Sequence, residues 1–390
     1  MKTFRVLAPA LAAAALLAGC GGATPGNQTS AAGYTKLVSF GDSLSDVGTY
    51  GVGVVSGLYK SRGYYSVNGI KTDGATYTNW TEFLSAQLGL AAPCPAETGL
   101  NTIPGIFPGG FGPVPVVEHP ECTNYAQGGA RVTELAGPGN VALFDPNDPS
   151  TYGNALGQLT KPIGLQIQAH LDASGGSFAA TDLVTVLAGG NDALIQLESL
   201  PQKIAAYAAA FIAAGDDVAT ATAKATAQAG AEAVTAMGTE GANLAVDINT
   251  KIIANGATHV IVVNLPDLSK TPLGYSLDAA TQGLVATMVD TFNAQLTSGL
   301  AASAANVVIV DSAASTRDQA VNPAAYGLTN NNTPACDATK VGTSLFCTAG
   351  TVIAGDVSHY EFADDVHPTP FTYKLLAQLV SERMAVKGWL

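Results

Sequence analysis

The sequence predicts an α/β fold with a mainly parallel sheet and helices on both faces. Short apolar runs rich in β-branched residues alternate with longer segments in which apolar residues recur at helical spacing. Strands separated by helices are typical of βαβ units, whose strands pair in parallel. No linker divides this alternating part, so we expect a single domain. At 390 residues, of which 47% are hydrophobic, the chain is long enough to bury a large core.

Five strands are predicted, and the sheet is expected to contain all of them. The second strand is short, whereas the third has the unbroken apolar run that a buried parallel strand shows. In chain order the predicted strands are Lys36–Phe40, Thr123–Ala126, Leu183–Ala188, His259–Val263 and Val307–Val310.

Six segments are predicted to be helical, from the spacing of their apolar residues or from their alanine-rich composition. They are Trp80–Leu88, Ile163–Leu171, Ile204–Ala214, Val218–Asn255, Ala279–Ala302 and Phe371–Val386. The Ala- and Thr-rich segment Val218–Asn255 is expected to be interrupted near Gly238–Gly241. The Pro- and Gly-rich stretch Ala91–His119 is too long and irregular for an ordinary connection.

The first residues indicate export. Lys2 and Arg5 flank the start of an apolar stretch, Val6–Leu17, that is too short to span a bilayer comfortably. The following Leu17-Ala18-Gly19-Cys20 resembles the lipobox of bacterial lipoproteins, in which the chain is cleaved before the cysteine and lipid is attached to its sulfur. The alternative is an ordinary secretory peptide that happens to contain a cysteine.

The lipobox resemblance implies a chain of three parts. Residues 1–19 would be a signal peptide, residues 20–33 a lipidated flexible tether, and residues 34–390 the globular domain. Acyl chains on Cys20 would anchor the protein in a membrane. Gly21 rather than Asp follows the cysteine, which points to the outer membrane. We therefore expect an exported, lipid-anchored protein on that membrane.

Four cysteines remain when Cys20 is set aside. An even number in an exported chain suggests two disulfides, and four cysteines allow three pairings. We expect the local pairing, Cys94 with Cys122 and Cys336 with Cys347, because it closes short loops. No Cys-x-x-Cys or His-x-x-x-His spacing indicates a metal site.

The chain is acidic, and this limits the partners that it could bind. Its 17 basic and 30 acidic residues give a formal net charge of −13. Such a surface repels phosphates, so nucleic acid is not expected as a partner. The chain has no run of five or more like charges, which favours a role in solubility over a binding tail. Apart from the charge, we expect the protein to be a monomer.

Four separated polar blocks carry the residue types that acyl transfer requires. Acyl transfer requires a nucleophile, a base, a group that orients the base, and donors for an oxyanion. The strained Gly-x-Ser-x-Gly elbow of ordinary α/β-hydrolases is absent. The blocks are Gly41-Asp42-Ser43-Leu44, Asn124-Tyr125-Ala126-Gln127-Gly128-Gly129-Ala130, Gly189-Gly190-Asn191-Asp192 and Asp364-Asp365-Val366-His367-Pro368.

In their order and spacing these blocks resemble the GDSL, or SGNH, hydrolases, a family of esterases and lipases. The resemblance runs from about Leu37 to the C-terminus, which is most of the chain. It implies a flavodoxin-like, three-layer αβα sandwich with a five-stranded, mainly parallel sheet. It also implies hydrolysis of carboxylic esters through an acyl-enzyme, with no metal and no cofactor.

Ser43 lies at the end of the first predicted strand, and the resemblance makes it the nucleophile. His367 is the candidate base, because it alone among the five histidines has both a carboxylate three residues earlier and a Pro-Thr-Pro turn after it. Asp364 at that spacing can accept a hydrogen bond from Nδ1 and leave Nε2 free for Ser43. Asp365 is the second choice for this role.

Three N–H donors are expected to form an oxyanion hole. The Ser43 main-chain N–H is one, since it lies where a helix begins. Asn191 follows the third predicted strand and can donate from its side-chain amide. Gly129 can donate from its main chain, because the lack of a side chain lets a carbonyl approach. Gly128 competes with Gly129 for this role.

We expect a carboxylic-ester hydrolase that acts on a small-molecule or lipid ester. Phospholipase, lipid acyltransferase and polysaccharide deacetylase activities remain open, as does a surface lipoprotein that binds lipid or glycan without catalysis. Residues Val218–Asn255 could form a helical hairpin beside the site, with a shallow apolar wall that favours short-to-medium acyl chains. Alternatively, this hairpin packs away from the site and has no influence on specificity.

Overall fold

A computed structural model describes residues 33–70, 72, 74 and 76–390. The predicted signal peptide and Cys20 lie outside the described residues. Within the described ranges, no helix is both long and apolar enough to cross a membrane.

The main sheet consists of four parallel strands. The strands in the described part of the chain are β1 (Lys36–Gly41), β2 (Glu97–Leu100), β3 (Val114–Glu118), β4 (Asp182–Leu187), β5 (Val260–Val263) and β6 (Val307–Val310). The main sheet has the order β1-β4-β5-β6, and β2 and β3 form a separate antiparallel pair. In the main sheet Phe40 pairs with Val186, which in turn pairs with Val262. The prediction of an α/β fold with a mainly parallel sheet is confirmed.

The sequence predicted five strands, but the main sheet has four. The segment predicted as the second strand does run beside β1, where the N–H of Ser39 donates to Thr123 O at 2.9 Å and the N–H of Tyr125 donates to Ser39 O at 2.8 Å. With β1 it makes an isolated parallel bridge between Asn124 and Ser39 and no regular ladder. The Asn124 side chain accepts the N–H of Ala126 at 3.1 Å, and this local bond turns the chain out of the strand.

Helices cover both faces of the main sheet. They are α1 (Gly53–Gly57), α2 (Trp80–Gln87), α3 (Ile163–Ser174), α4 (Gly190–Ala213), α5 (Val218–Asp247), α6 (Pro272–Ser276), α7 (Ala279–Leu300), α8 (Ser312–Val321) and α9 (Pro370–Lys387). Successive strand residues point to opposite faces. Val184 and Val186 therefore pack against α3, α5 and α7, whereas Leu183 and Leu187 pack against α2 and α9.

The Ala-rich segment is one continuous helix of 30 residues, α5, followed by a π-helical turn at Ile248–Ile252. The interruption expected near Gly238–Gly241 is absent. Gly241 lies where α5 meets α7, and a Cβ there would be only 2.3 Å from the main-chain oxygen of Phe292. The glycine therefore permits close helix packing and does not break the helix.

Two disulfides hold the long loops. Cys94 bonds to Cys122 at the base of the β2–β3 excursion, and Cys336 bonds to Cys347 in the loop before α9. The local pairing predicted from the sequence is therefore confirmed. The second disulfide belongs to an apolar cluster that also contains Tyr50 from the loop after β1.

Candidate active site

The polar blocks meet at the carboxyl ends of β1 and β4. Ser43 follows β1, Asn191 lies in the first turn of α4 directly after β4, and His367 lies in the turn before α9. Open α/β sheets bind their ligands at this edge. The Gln166 side chain holds the end of β1, because it accepts the N–H of Gly41 and donates to Gly41 O, both at 2.8 Å. The turn that carries Ser43 therefore begins at a fixed point.

Ser43, His367 and Asp364 form a continuous hydrogen-bonded chain. The Ser43 Oγ lies 2.8 Å from His367 Nε2. The His367 Nδ1 lies 2.9 Å from each carboxylate oxygen of Asp364. Asp365, the second choice, is exposed, and among the described residues no hydrogen bond joins its carboxylate to His367. The structure thus brings together the three side chains that the sequence singled out.

Main-chain N–H groups fix the Asp364 carboxylate. Oδ1 accepts from Val366 at 3.0 Å and from His367 at 2.8 Å, and Oδ2 accepts from Ser344 at 2.9 Å. Burial alone would raise the pKa of Asp364, but the nearby His367 and these hydrogen bonds bring it below its usual range. An ionised Asp364 keeps the proton on Nδ1 of His367, which leaves Nε2 free to accept the proton of Ser43.

Three candidate oxyanion donors border one cavity. Ser43, Gly129, Asn191 and His367 all line it. Within the described part of the chain, the main-chain N–H groups of Ser43 and Gly129 donate to no protein acceptor. The Asn191 amide donates one hydrogen to Ala130 O at 2.8 Å and keeps a second. The arrangement can therefore offer three hydrogen bonds to an oxygen that develops negative charge.

The structure distinguishes Gly129 from Gly128. The N–H of Gly128 donates to Asp46 Oδ2 at 2.9 Å, so it is not available to a substrate. Gly129 has a φ of +80°, and a Cβ there would lie 2.2 Å from Pro138 O. A side chain is thus excluded at Gly129, while its N–H stays available. This geometry favours Gly129 as the donor.

Two buried carboxylates hold the loop that contains these glycines. At one end, Asp46 accepts the N–H of Gly128. At the other end, Asp192 lies 2.9 Å from Arg131 Nε and accepts the N–H of Val132 at 3.0 Å. Burial raises the pKa of both carboxyls to about 6. Both carboxylates therefore hold the loop in place through hydrogen bonds to its main chain.

The site opens into a cavity of 810 Å³. One face of α4 lines this cavity. The residues on this face are Asn191, Leu194, Glu198 and Gln202. At 1.5 Å per residue, this face extends for about 16 Å from the Asn191 amide. The wall is apolar at Leu194 and polar from Glu198 outward. Within the described ranges, no group of three or more His, Cys, Asp and Glu side chains is placed to hold a metal ion.

The expected wall from the Ala-rich segment is absent, and that prediction was wrong. Among the described residues, none from α5 lines the cavity. Instead α5 packs between α4 and α7, with Ala233 and Met237 in the core against the sheet. Its small side chains are used in helix packing. Ile106, Phe107 and Phe346 add apolar side chains to the cavity beside Leu194 of α4.

Sequence reasoning missed the loop that Cys336 and Cys347 close. Thr343 and Phe346 of this loop line the cavity, and the Ser344 N–H donates to Asp364. Ser344 acts through its main chain, so its residue type carries no signal of the role. The paired cysteines were the available sign that the segment is held in place.

We expect removal of this disulfide to lower kcat. In a Cys336→Ser/Cys347→Ser variant the loop is free to move, and Asp364 loses one of its hydrogen bonds. A hydrogen bond to a charged group contributes about 1.5–3 kcal/mol, so kcat should fall by about 10-fold or more. Ester hydrolysis by the purified variant measures the effect.

The other disulfide offers a matched control. A Cys94→Ser/Cys122→Ser variant should lose a similar amount of stability, about 2–4 kcal/mol, because it also loses one covalent link. Its kcat should stay close to that of the wild type, since neither cysteine lines the cavity. Equal losses of kcat in the two variants would show that the Cys336–Cys347 loop has no special role.

Known proteins share this sequence pattern. A family model described as GDSL-like lipase/acylhydrolase matches residues 37–380, which include all four polar blocks. A GDSL esterase/lipase of Arabidopsis thaliana is 32% identical to this chain over 66 residues, or 17% of this chain and 18% of that protein. The chain thus matches less than a fifth of that relative's length.

Proposed function

The chain belongs to the family of GDSL-like lipases and acylhydrolases, and on that premise we propose that it hydrolyses carboxylic esters with Ser43 as the nucleophile. One observation carries this proposal. The Ser43 Oγ lies 2.8 Å from His367 Nε2, while the opposite ring nitrogen lies 2.9 Å from the Asp364 carboxylate. A hydroxyl in this arrangement can lose its proton as it attacks a carbonyl carbon.

In the first half of the reaction His367 Nε2 accepts the Ser43 proton while Oγ bonds to the ester carbon. The carbonyl electrons move to oxygen, and that oxyanion accepts hydrogen bonds from the N–H of Ser43, the N–H of Gly129 and the Asn191 amide. His367 then donates its proton to the leaving alcohol as the C–O bond breaks. The product of this half is an acyl-enzyme.

In the second half water replaces the alcohol. His367 removes a proton from the water, whose oxygen attacks the acyl carbon. When the second tetrahedral intermediate collapses, the proton returns to Ser43 Oγ and the carboxylic acid leaves. Asp364 keeps the same hydrogen bond to Nδ1 throughout and stabilises the protonated ring.

A panel of p-nitrophenyl esters, from acetate to palmitate, tests the activity. We expect the purified domain to release p-nitrophenol from at least the short and medium members. If a protein shown to be folded hydrolyses none of these esters, the result contradicts the proposal.

We further propose that the acyl chain lies along α4. The apolar wall at Leu194 gives way to Glu198 about 10 Å from Asn191. A chain that passes this point meets a carboxylate, so kcat/KM should be highest for short-to-medium acyl groups. Glu198→Leu should extend the apolar wall and raise the ratio of kcat/KM for laurate over butyrate by about 5-fold.

An exposed glutamate on α9 provides the control for that prediction. Glu382 does not line the cavity, so Glu382→Leu should leave the laurate-to-butyrate ratio unchanged. If Glu198→Leu changes kcat/KM for both esters by the same factor, the acyl chain does not lie along α4.

The location of the protein is a separate proposal that rests on the N-terminal residues. We propose that residues 1–19 are removed and that lipid on Cys20 anchors the domain of residues 34–390 to the outer membrane. Cys20→Ser should prevent radiolabelled palmitate from entering the protein and should abolish its membrane attachment. Palmitate incorporation into the Cys20→Ser variant would overturn the lipoprotein assignment.

The flavodoxin-like order is also a proposal. If Thr123–Ala126 is counted as an edge strand beside β1, the five segments have the order 2-1-3-4-5 of such sheets. The hydrogen bonds from Ser39 and Tyr125 support this view.

A further inference from the structure

A second crevice lies on the other side of the loops that carry Ser43 and His367. Leu44 and Val366, the neighbours of these residues in the chain, line it together with Phe362 and Tyr373. None of the residues that line the larger cavity lines this crevice. Its volume is 70 Å³. Because one water requires about 10–15 Å³ on this scale, the crevice can hold a group of a few heavy atoms.

A buried carboxyl group with no partner lines this crevice. Glu361 is only 2% exposed. Its Oε2 has no hydrogen-bond partner, and within the described ranges no ion pair involves this residue. Burial raises the pKa of Glu361 to about 8. A buried polar group without a partner is costly, and such a group in a folded protein calls for a ligand or another explanation.

Several other polar groups of the crevice offer hydrogen-bond acceptors. Thr316 donates its hydroxyl hydrogen to Ser312 O at 2.9 Å. Thr271 donates its own to Leu268 O at 2.8 Å and accepts the N–H of Gly274 at 3.2 Å, which leaves one lone pair. These hydroxyls therefore present lone pairs to any further partner. A ligand that satisfies them has to bring hydrogen-bond donors.

Two more side chains complete this set. Gln319 donates one amide hydrogen to Ser315 Oγ at 3.1 Å, which leaves its carbonyl oxygen as an acceptor and its second amide hydrogen as a donor. Thr372 is 9% exposed, and its Oγ1 is buried without a partner. These acceptors thus line the same crevice as a carboxyl group that has no counter-charge from the described part of the protein.

We infer that this crevice is a binding site for a small primary ammonium ion, whose N–H groups are held by Glu361 and the neighbouring oxygens. An ammonium head supplies both the positive charge and the hydrogen-bond donors that these residues require. The apolar side chains of Leu44, Val366 and Phe362 suit a short alkyl tail. The site does not depend on the proposed hydrolysis, because it shares no residue with the larger cavity.

Binding of the ammonium ion should stabilise the turn that contains Asp364 and His367. Glu361 lies at the base of this turn, where its main-chain oxygen accepts the N–H of Thr369 at 2.9 Å. Phe362 and Pro368 form an isolated antiparallel bridge just inside it. A ligand that binds to Glu361 in the folded protein should therefore stabilise the segment between Glu361 and Thr369 against unfolding.

Thermal unfolding of the protein in three chloride salts at equal ionic strength tests this inference. The salts are those of ethylammonium, sodium and tetramethylammonium, and the pH is set above the pKa of Glu361. Tetramethylammonium carries the same charge but has no N–H and is bulkier. We expect ethylammonium alone to raise the Tm, by about 2 °C, and the rise to saturate with concentration.

Two variants and a direct binding measurement complete the test. Glu361→Gln keeps the shape of the side chain but removes its charge, so the ethylammonium-specific rise in Tm should be lost. Thr372→Val removes one hydroxyl oxygen, so the rise in Tm should be reduced. Titration calorimetry should detect saturable ethylammonium binding to the wild-type protein. Equal Tm values in the three salts, or a full ethylammonium effect in Glu361→Gln, would overturn the inference.

Discussion

Ser43→Ala should abolish ester hydrolysis while leaving the fold intact. The substitution removes one oxygen from a side chain that is 7% exposed, and the main-chain N–H remains in place. Without Oγ no acyl-enzyme can form. Because a nucleophile and its base act as one unit, kcat should fall by about 10⁴–10⁶-fold. Hydrolysis of p-nitrophenyl butyrate, with circular dichroism to verify folding, measures the loss.

Substitution of His367 or Asp364, the other two residues of the hydrogen-bonded chain, should also lower kcat, by different amounts. His367→Ala should cost nearly as much, since no other described side chain contacts Ser43 Oγ as a base. Asp364→Ala should cost less, because His367 keeps its chemistry but loses its orientation. More than about a tenth of the wild-type kcat in His367→Ala would show that another group is the base.

Asn191→Ala should produce the next largest effect, a fall in kcat of about 10²–10³-fold with little change in KM. The Asn191 amide has one hydrogen left after its 2.8 Å bond to Ala130 O. That hydrogen matters most when the substrate oxygen becomes negative, which happens in the transition state and not on binding. Steady-state kinetics with butyrate separates the two parameters.

A residue on the same face of α4 serves as the control. Gln202 also lines the cavity, three helical turns beyond Asn191, so Gln202→Ala should change KM at most. If Asn191→Ala raises KM and leaves kcat unchanged, the amide binds the ground state and the oxyanion hole lacks this donor.

Local signals in the sequence, together with the resemblance to the GDSL hydrolases, were sufficient to select the candidate site. Ser43 follows an apolar strand, and the spacing between Asp364 and His367 allows one side chain to reach the other within a turn. The disulfides were also predictable, since short loops favour local pairing. Each of these inferences depends on neighbours in the chain, for which sequence distance is a good guide to spatial distance.

Features that depend on distant contacts were not predictable in the same way. The helix α5 was expected to break at Gly238–Gly241, but Gly241 lies against Phe292 of α7, a contact across 51 residues of sequence. Thr123–Ala126 was predicted to be a strand, yet it makes only an isolated bridge to β1, and the Asn124 side chain accepts the N–H of Ala126 where the chain turns away from the sheet. In both cases one tertiary or side-chain contact decided the conformation.

The support of Asp364 shows a third limit. Ser344 contributes a main-chain N–H, which every residue except proline has, so no residue type marks the position. Glu361 gave no signal either, because its burial results from packing of the turn against α8 and α9. Roles of this kind become visible only when the loops are placed in space.

Covalent labelling with a fluorophosphonate tests the central claim most directly. The reagent phosphonylates a serine hydroxyl that an adjacent base activates, and peptide mapping by mass spectrometry locates the adduct. We expect one adduct, on the peptide that contains Ser43, which is absent from Ser43→Ala and strongly reduced in His367→Ala. A protein that hydrolyses esters but carries no adduct on Ser43, or carries it on another residue, would contradict the assignment of Ser43 as the nucleophile.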